Sequence, residues 1–188
     1  LISVDVRETA HGLKVLLADG KILEFAVFED QELELAKVNS WLVTVDKTDI
    51  AQRMQKIQDR SIPQQSFNWS REFQLLMFNI LLGVGRANRG EILIAGQFIR
   101  TFALRSIVSL IRQSSLPKVG TESLEDNLEI LRRFEFQYPE EATLLERACQ
   151  NSVDIAGMKM LEIAEGLRLI SDFERAQIAI VREQLKTK

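Results

Sequence analysis

The sequence predicts an α+β protein in which a small antiparallel sheet precedes a helical bundle. Apolar residues alternate with polar ones from residue 1 to about 50, as in strands, and they recur at helical spacing in the second part of the chain. Between the two patterns, residues 51–66 are polar and rich in glutamine, which is typical of a linker. We therefore predict two domains, residues 1–62 with the sheet and residues 63–188 with the bundle.

Composition favours a globular protein of the cytoplasm. Apolar residues make up 46% of the 188 positions, which is enough for a packed core. The formal charge of -3 argues against a general nucleic-acid-binding surface. Arginine and glutamate interrupt the hydrophobic stretches, so we expect no membrane span. The single cysteine, Cys149, cannot form an internal disulfide.

The N-terminal pattern predicts an antiparallel meander with a turn at Asp19-Gly20. The strand after this turn, residues 22–28, carries one carboxylate, Glu24, among apolar residues. Residues 41–46 predict a further short strand that is largely buried. So few strands would be marginally stable alone, because one face of the sheet would stay uncovered.

Glu24 is the first candidate for chemistry. A carboxylate buried in a sheet costs free energy unless a cation or a proton relay compensates it, and such residues cluster at functional sites. The alternative is that Glu24 reaches solvent at a sheet edge, because most carboxylates remain exposed. The pattern of the strand leaves both interpretations open.

In the second domain, helical spacing predicts five or six helices packed as a bundle. Ser123 is a candidate N-cap for a helix that runs to Gln137, and Pro139 predicts the first turn of the next helix. The last helical pattern is divided at Ser171, which can form a capping box with Glu174. One predicted apolar stripe consists of these residues: Ile92, Ala95, Ile99, Phe102, Ile107 and Leu110.

The stretch from residue 83 to residue 118 is strongly cationic. Six cations stand against one acid, Glu91, which gives 6 - 1 = +5. The cations are Arg86, Arg89, Arg100, Arg105, Arg112 and Lys118. Because arginine binds phosphate oxygens through paired hydrogen bonds and keeps its charge, an anionic partner is one interpretation. The other is a solvated face paired with acids such as Glu122 and Glu125.

Glu91 itself has two interpretations. A carboxylate at the start of a helix is stabilised by the helix dipole, or Glu91 points into an interdomain cleft and binds a hydroxylated or cationic ligand. The nearby Gly83-Val84-Gly85 is not a dinucleotide-binding fingerprint, because Asn88 stands where the third glycine belongs. Because His11 is the only histidine, the sequence has almost none of the residues that a zinc cluster or a histidine-based nucleophilic site requires.

Three features, taken in this order, resemble the nucleotidyltransferase superfamily of polymerase-beta type. They are the Asp19-Gly20 turn leading into Leu23-Glu24-Phe25, the segment Val43-Thr44-Val45-Asp46, and a helical region with Arg89-Gly90-Glu91 and Arg132-Arg133-Phe134-Glu135-Phe136-Gln137-Tyr138-Pro139. The likeness covers nearly the whole chain and is closest to the aminoglycoside and lincosamide nucleotidyltransferases of bacteria.

The resemblance implies transfer of a nucleoside monophosphate from a nucleoside triphosphate, most simply ATP, to a hydroxyl of a small molecule with Mg²⁺. It also implies roles for four residues of this chain. Glu24 would be the family's third carboxylate, as metal ligand or as base for the attacking hydroxyl. Arg86 and Arg89 would face the nucleotide, and Glu91 would contact the acceptor.

The family's Gly-Ser loop and Asp-x-Asp pair occur nowhere in this sequence. We therefore expect them before Leu1 or lost, and we expect the chain to be inactive alone. The alternative function is a non-catalytic helical interaction or dimerisation module on a degenerate transferase fold. A third is a regulatory domain that binds a nucleotide without turnover. A homodimer is compatible with each of them.

Overall fold

The computed structural model describes these residues: 2–7, 11–61, 67–121, 124, 126 and 128–186. The chain divides into two compact units, Leu1–Ile62 and Pro63–Lys188. Among the described residues, all strands lie in the first unit and seven α-helices lie in the second. The predicted α+β class is confirmed. The candidate N-cap Ser123 lies outside the described residues.

The first unit contains the predicted meander. Its strands are β1 (Ile2–Arg7), β2 (Gly12–Leu17) and β3 (Ile22–Ala26), all antiparallel, with β2 in the middle. Gly20 has φ +83°, a left-handed conformation that glycine adopts without strain, and it completes the turn between β2 and β3. The turn sets the register in which Lys14 lies opposite Glu24.

The fourth strand predicted over residues 41–46 is wrong. This segment pairs with no strand, and Leu42 is 86% exposed. Its end caps a helix instead, because the Asp46 carboxylate accepts hydrogen bonds from the backbone N–H groups of Ile50 at 2.8 Å and Ala51 at 3.1 Å. Helix capping by aspartate competes with strand pairing, and here it prevails.

The linker predicted from glutamine content is also wrong over most of its length, because α1 (Ile50–Ser61) occupies it. Ile57 is the buried anchor of this helix. Two of the glutamines have local partners: Gln58 accepts a hydrogen bond from the Trp41 indole N–H at 2.9 Å, and Gln55 donates to Asp59 one turn later at 2.9 Å. These contacts make a polar stretch helical.

The second unit is the predicted bundle. Its elements are α2 (Trp69–Ala87), α3 (Ile92–Gln97), a π-helical segment (Phe98–Ala103), α4 (Leu104–Ser114), α5 (Phe134–Gln137), α6 (Pro139–Cys149), α7 (Val153–Glu165) and α8 (Asp172–Lys186). The predicted capping box of α8 is present, because the Ser171 N–H donates to Glu174 at 2.8 Å and the Glu174 N–H donates to the Ser171 hydroxyl at 3.3 Å.

The helix predicted from Ser123 to Gln137 is much shorter in the structure. Among the described residues of this stretch, regular α-helix is limited to α5. The buried Asp126 accepts hydrogen bonds from the backbone N–H groups of Leu128 at 2.9 Å and Glu129 at 3.0 Å, which closes a turn where a helix was expected. Aspartate side chains favour such local turns over helix interiors.

The π-helical segment changes which residues face the core. Phe102 was predicted to belong to the apolar stripe, but it is 42% exposed and the following residue, Ala103, is fully buried. The buried positions recur every four residues, at Ala95, Ile99, Ala103 and Ile107. A π-helix has a wider turn than an α-helix, so a stripe counted at α-helical spacing drifts off the buried face.

Within the described residues, one continuous helix, Ile92–Ser114, is long and apolar enough to cross a membrane, with a mean hydropathy of 1.3 over its best window. Arg100, Arg105 and Arg112 interrupt this helix, and the expectation of no membrane span stays a prediction. Length and composition are weak evidence for a span, because core helices pass the same test. This helix supplies part of the bundle core, including Ile99, Ile107 and Ile111.

A close contact between helices fixes the centre of the bundle. A Cβ added at Gly83 of α2 would lie 2.9 Å from both Cδ1 and Cγ1 of Ile99. Gly157 of α7 is similarly tight, since its added Cβ would lie 3.0 Å from Cγ2 of Ile80. Glycine at these positions lets the helix backbones approach one another.

We expect Gly83→Ala to lower the free energy of unfolding by about 1–2 kcal/mol, because overpacking costs about 1–3 kcal/mol and the gain in helix propensity returns up to about 1. Gly85→Ala in the same helix is the matched control, since its added Cβ would meet nothing closer than 3.8 Å. That control should be stabilised. Equal stability of the two variants in urea unfolding would contradict the packing role.

Candidate functional site

The structure places Glu24 in the middle of the edge strand β3, where its side chain is 67% exposed. The prediction of a buried carboxylate is wrong, and the alternative of a carboxylate at a sheet edge is confirmed. The carboxylate lies 3.3 Å from Nζ of Lys14, its cross-strand neighbour. An exposed pair of this kind contributes little to stability, about 0–1 kcal/mol.

The surroundings of Glu24 on the sheet are apolar. Lys14 and Glu24 share a face with Val6 on β1 and with Leu16 and Ile22, which pair with each other. All three apolar side chains are exposed to solvent to a substantial degree. Glu24 therefore presents an accessible carboxylate on a hydrophobic face, with Lys14 beside it.

Glu24 does not form a metal site with the other described residues of this chain. These residues contain no group of three or more His, Cys, Asp or Glu side chains that could hold a metal ion. A magnesium site for phosphoryl transfer needs several hard oxygen ligands. Glu24 fits such a site as one of its ligands, and the residues described here do not supply the rest.

The three other predicted site residues come together at the corner between α2 and α3. Glu91 accepts a hydrogen bond from Nη1 of Arg86 at 2.6 Å and from Nε of Arg89 at 3.1 Å. Gly90 makes the corner possible with φ +79°, which brings the end of α2 back toward the start of α3. The Glu91 side chain does not cap the helix N-terminus.

This cluster stays partly open and keeps a positive charge. All three side chains are more than a third exposed, and two guanidinium groups face one carboxylate. The hydrogen bonds from Arg86, and then those from Arg89, hold the pKa of Glu91 below its usual range. The cluster can offer guanidinium N–H groups to an anion while Glu91 keeps both arginines oriented.

The remaining arginines of the cationic stretch bind the protein itself. Arg100 donates to the carbonyl oxygens of Cys149 at 3.0 Å and Asn151 at 2.9 Å, which satisfies the end of α6. Arg105 pairs with Glu129 at 2.5 Å. These contacts are intramolecular, so neither arginine is fully available to an anionic partner.

Arg112 is fixed most completely. Its guanidinium donates to Gln137 Oε1 at 2.7 Å and to the Ile130 carbonyl at 3.1 Å, and it lies 5.6 Å from the ring centroids of both Phe134 and Tyr138. Cation–π contacts and hydrogen bonds together make this side chain a brace for the region around α5. The acids named as alternative partners, Glu122 and Glu125, lie outside the described residues.

Sequence patterns missed a groove in the helical unit, with a volume of about 790 Å³, between the end of α4, α6 and α7. Three cations line it: Arg147, Lys159 and Arg168. They come from separate elements, and no short motif joins them. The local charge balance around each one gives no signal, because acids neighbour them in the sequence.

We expect Arg86→Gln to raise the pKa of Glu91 toward the ordinary glutamate range, because the largest cause of its lowering is removed. A lowered folded-state pKa adds stability that is present above the unfolded value and is lost as pH falls through the folded value. The variant should therefore lose less stability on acidification than the parent. Carboxyl-detected NMR titration measures the pKa, and Arg71→Gln in the same helix is the control, which should leave Glu91 unchanged.

Comparison with known proteins adds no relative. Protein-family models, curated proteins and solved structures each give no significant match to this chain. The likeness to nucleotidyltransferases therefore remains a prediction from sequence motifs, and the roles it implies for Glu24, Arg86, Arg89 and Glu91 are carried forward as proposals.

Proposed function

We propose that this chain is part of a cytoplasmic, magnesium-dependent nucleotidyltransferase that moves a nucleoside monophosphate from a nucleoside triphosphate such as ATP to a hydroxyl of a small molecule. The observation that carries the proposal is the accessible carboxylate of Glu24 on β3, which lies 3.3 Å from Nζ of Lys14. A carboxylate that is free of a buried network can exchange partners, and this is what a base or a metal ligand must do.

In this proposal, Glu24 accepts the proton of the attacking hydroxyl or completes a metal site. Mg²⁺ would supply charge stabilisation to the transferred phosphoryl group when bound. Its other oxygen ligands would come from outside the described residues, which form no group of three or more acidic or metal-binding side chains. The proposal therefore assigns to Glu24 only one of the oxygen ligands of Mg²⁺.

The corner cluster has a separate role in the proposal. Arg86 and Arg89 keep a net charge of +1 after pairing with Glu91, and their exposed N–H groups suit phosphate oxygens. Glu91 holds the two guanidinium groups and can accept a hydrogen bond from the acceptor hydroxyl. The cluster thus combines recognition of an anion with recognition of a hydroxyl.

The test is calorimetric titration of the full-length protein with a non-hydrolysable ATP analogue, with and without Mg²⁺. Glu24→Gln should weaken the Mg²⁺-dependent binding by about tenfold or more, the range seen when a group supporting a metal site is removed. Lys14→Gln should leave it equal or tighter, because a competing cation is lost.

Glu29→Gln serves as the control, because it removes an exposed carboxylate of the same unit. It should not change binding. Absence of Mg²⁺-dependent binding in the parent protein, or equal binding by the parent and Glu24→Gln, would refute the assignment of Glu24. If Glu24→Gln and Lys14→Gln weakened binding equally, their ion pair would be structural.

The alternative, a non-catalytic module that forms a homodimer, is favoured by a different observation. The face of the sheet opposite Glu24 carries Leu13, Val15, Leu23 and Phe25, and all except Val15 are exposed by more than a third. Exposed apolar residues that lie together on one sheet face are typical of interaction surfaces.

For the homodimer, we expect Phe25→Ser to shift sedimentation toward the monomer, because it removes the largest exposed ring of that face. Phe173→Ser is the control, since Phe173 is also an exposed phenylalanine, at 74% against 54% for Phe25, and lies on α8 of the other unit. A parent protein that sediments as a monomer at micromolar concentration would contradict the dimer. So would equal effects of the two substitutions.

A further inference from the structure

We propose that the groove between the end of α4, α6 and α7 binds a small organic phosphate, a phosphate monoester attached to an apolar or aromatic body. This inference is independent of nucleotidyl transfer and of Glu24. The volume of about 790 Å³ lies within the range of small-molecule sites. All residues that line the groove belong to the helical unit.

The walls of the groove combine apolar and charged side chains. Leu116 and Leu144 contribute apolar surface, and the cations are Arg147, Lys159 and Arg168. Apolar surface and cations in one groove suit an amphipathic anion. It gives the organic part of the ligand a place to leave water, and the phosphate a set of N–H donors.

The availability of these cations is the main argument. Most cations of the helical unit are bonded within the protein, as Arg86, Arg100 and Arg112 show. Among the described residues of this unit, the following cationic side chains form no hydrogen bond or ion pair: Lys118, Arg133, Arg147, Lys159 and Arg168. Three of these five line this one groove.

The charge of the groove selects the class of ligand. Glu141 and Glu162 also line it, and neither is paired with one of the three cations. The balance is 3 - 2 = +1 in the empty groove. A phosphate monoester carries about -1.5 to -2 at pH 7, so a groove lined by three cations favours it over a carboxylate with a single charge. The two acids disfavour a ligand whose anionic group is large and diffuse.

The surface of the groove argues against an unspecific counterion site. Among its cations Lys159 is partly buried, and the exposed Leu116 and Leu144 line the same groove. An inorganic anion would bind to the cations and leave the apolar surface of the groove exposed to water. A ligand with an organic body would cover that surface as well, so the two can be distinguished by affinity.

The experiment is calorimetric titration of the protein with phenyl phosphate, with inorganic phosphate, benzoate and benzylamine as comparison ligands. Phenyl phosphate should bind at least about tenfold more tightly than inorganic phosphate and more tightly than benzoate. Benzylamine, which has the ring and the opposite charge, should not bind. Lys159→Gln and Arg168→Gln should each weaken phenyl phosphate binding by about tenfold or more, as expected for a lost charge-assisted hydrogen bond.

Lys56→Gln is the control, because Lys56 is an exposed lysine of α1 in the other unit and the charge change is the same. It should leave the affinity unchanged, and circular dichroism of all variants should match the parent. Equal affinity for phenyl phosphate and inorganic phosphate would overturn the proposal, as would no binding at millimolar concentration or equal effects of Lys56→Gln and Lys159→Gln. Glu24→Gln should not affect this binding, so the two proposals fail separately.

Discussion

The close approach of α2 to the π-helical segment at Gly83 is the contact on which the helical unit depends. Ile99 packs where a side chain at residue 83 would stand, and Gly157 on α7 accommodates Ile80 of α2 in the same manner. The core therefore forms from large side chains of one helix over glycines of another. This density fixes the direction of the chain where α2 ends, and with it the corner that holds Arg86 and Glu91.

A consequence of this packing is that charge counted along the sequence differs from charge offered to a partner. The stretch around α3 and α4 is the most cationic of the chain, yet Arg100 satisfies the carbonyl groups at the end of α6 and Arg112 braces the region of α5. Helix ends leave unpaired carbonyl groups, and an arginine from a neighbouring helix is a good donor to them. Of the five unbonded cations among the described residues of this unit, three lie outside the stretch and line one groove: Arg147, Lys159 and Arg168.

Local signals in the sequence predicted local structure. The Asp19-Gly20 turn and the capping box at Ser171 depend on residues a few positions apart, and both are present. Burial depends on residues distant in sequence, so the strand pattern left the burial of Glu24 open, and the structure shows the side chain exposed. Phe102 was misplaced because a π-helical segment changes the spacing of buried positions. The groove was not predicted, because its cations lie on separate elements that meet only in the folded unit.

The two units carry complementary kinds of chemistry. The sheet unit offers an accessible carboxylate with one adjacent ammonium group, which suits proton transfer or a hard cation. The helical unit offers cations, partly neutralised at the α2–α3 corner and unbonded in the groove, which suits phosphate. Nucleotidyl transfer needs both kinds of group, whereas an interaction module needs neither. Because the carboxylate and the groove cations are not held by strong internal pairs, retaining them costs little stability, and their chemistry is measurable by removing each charge singly.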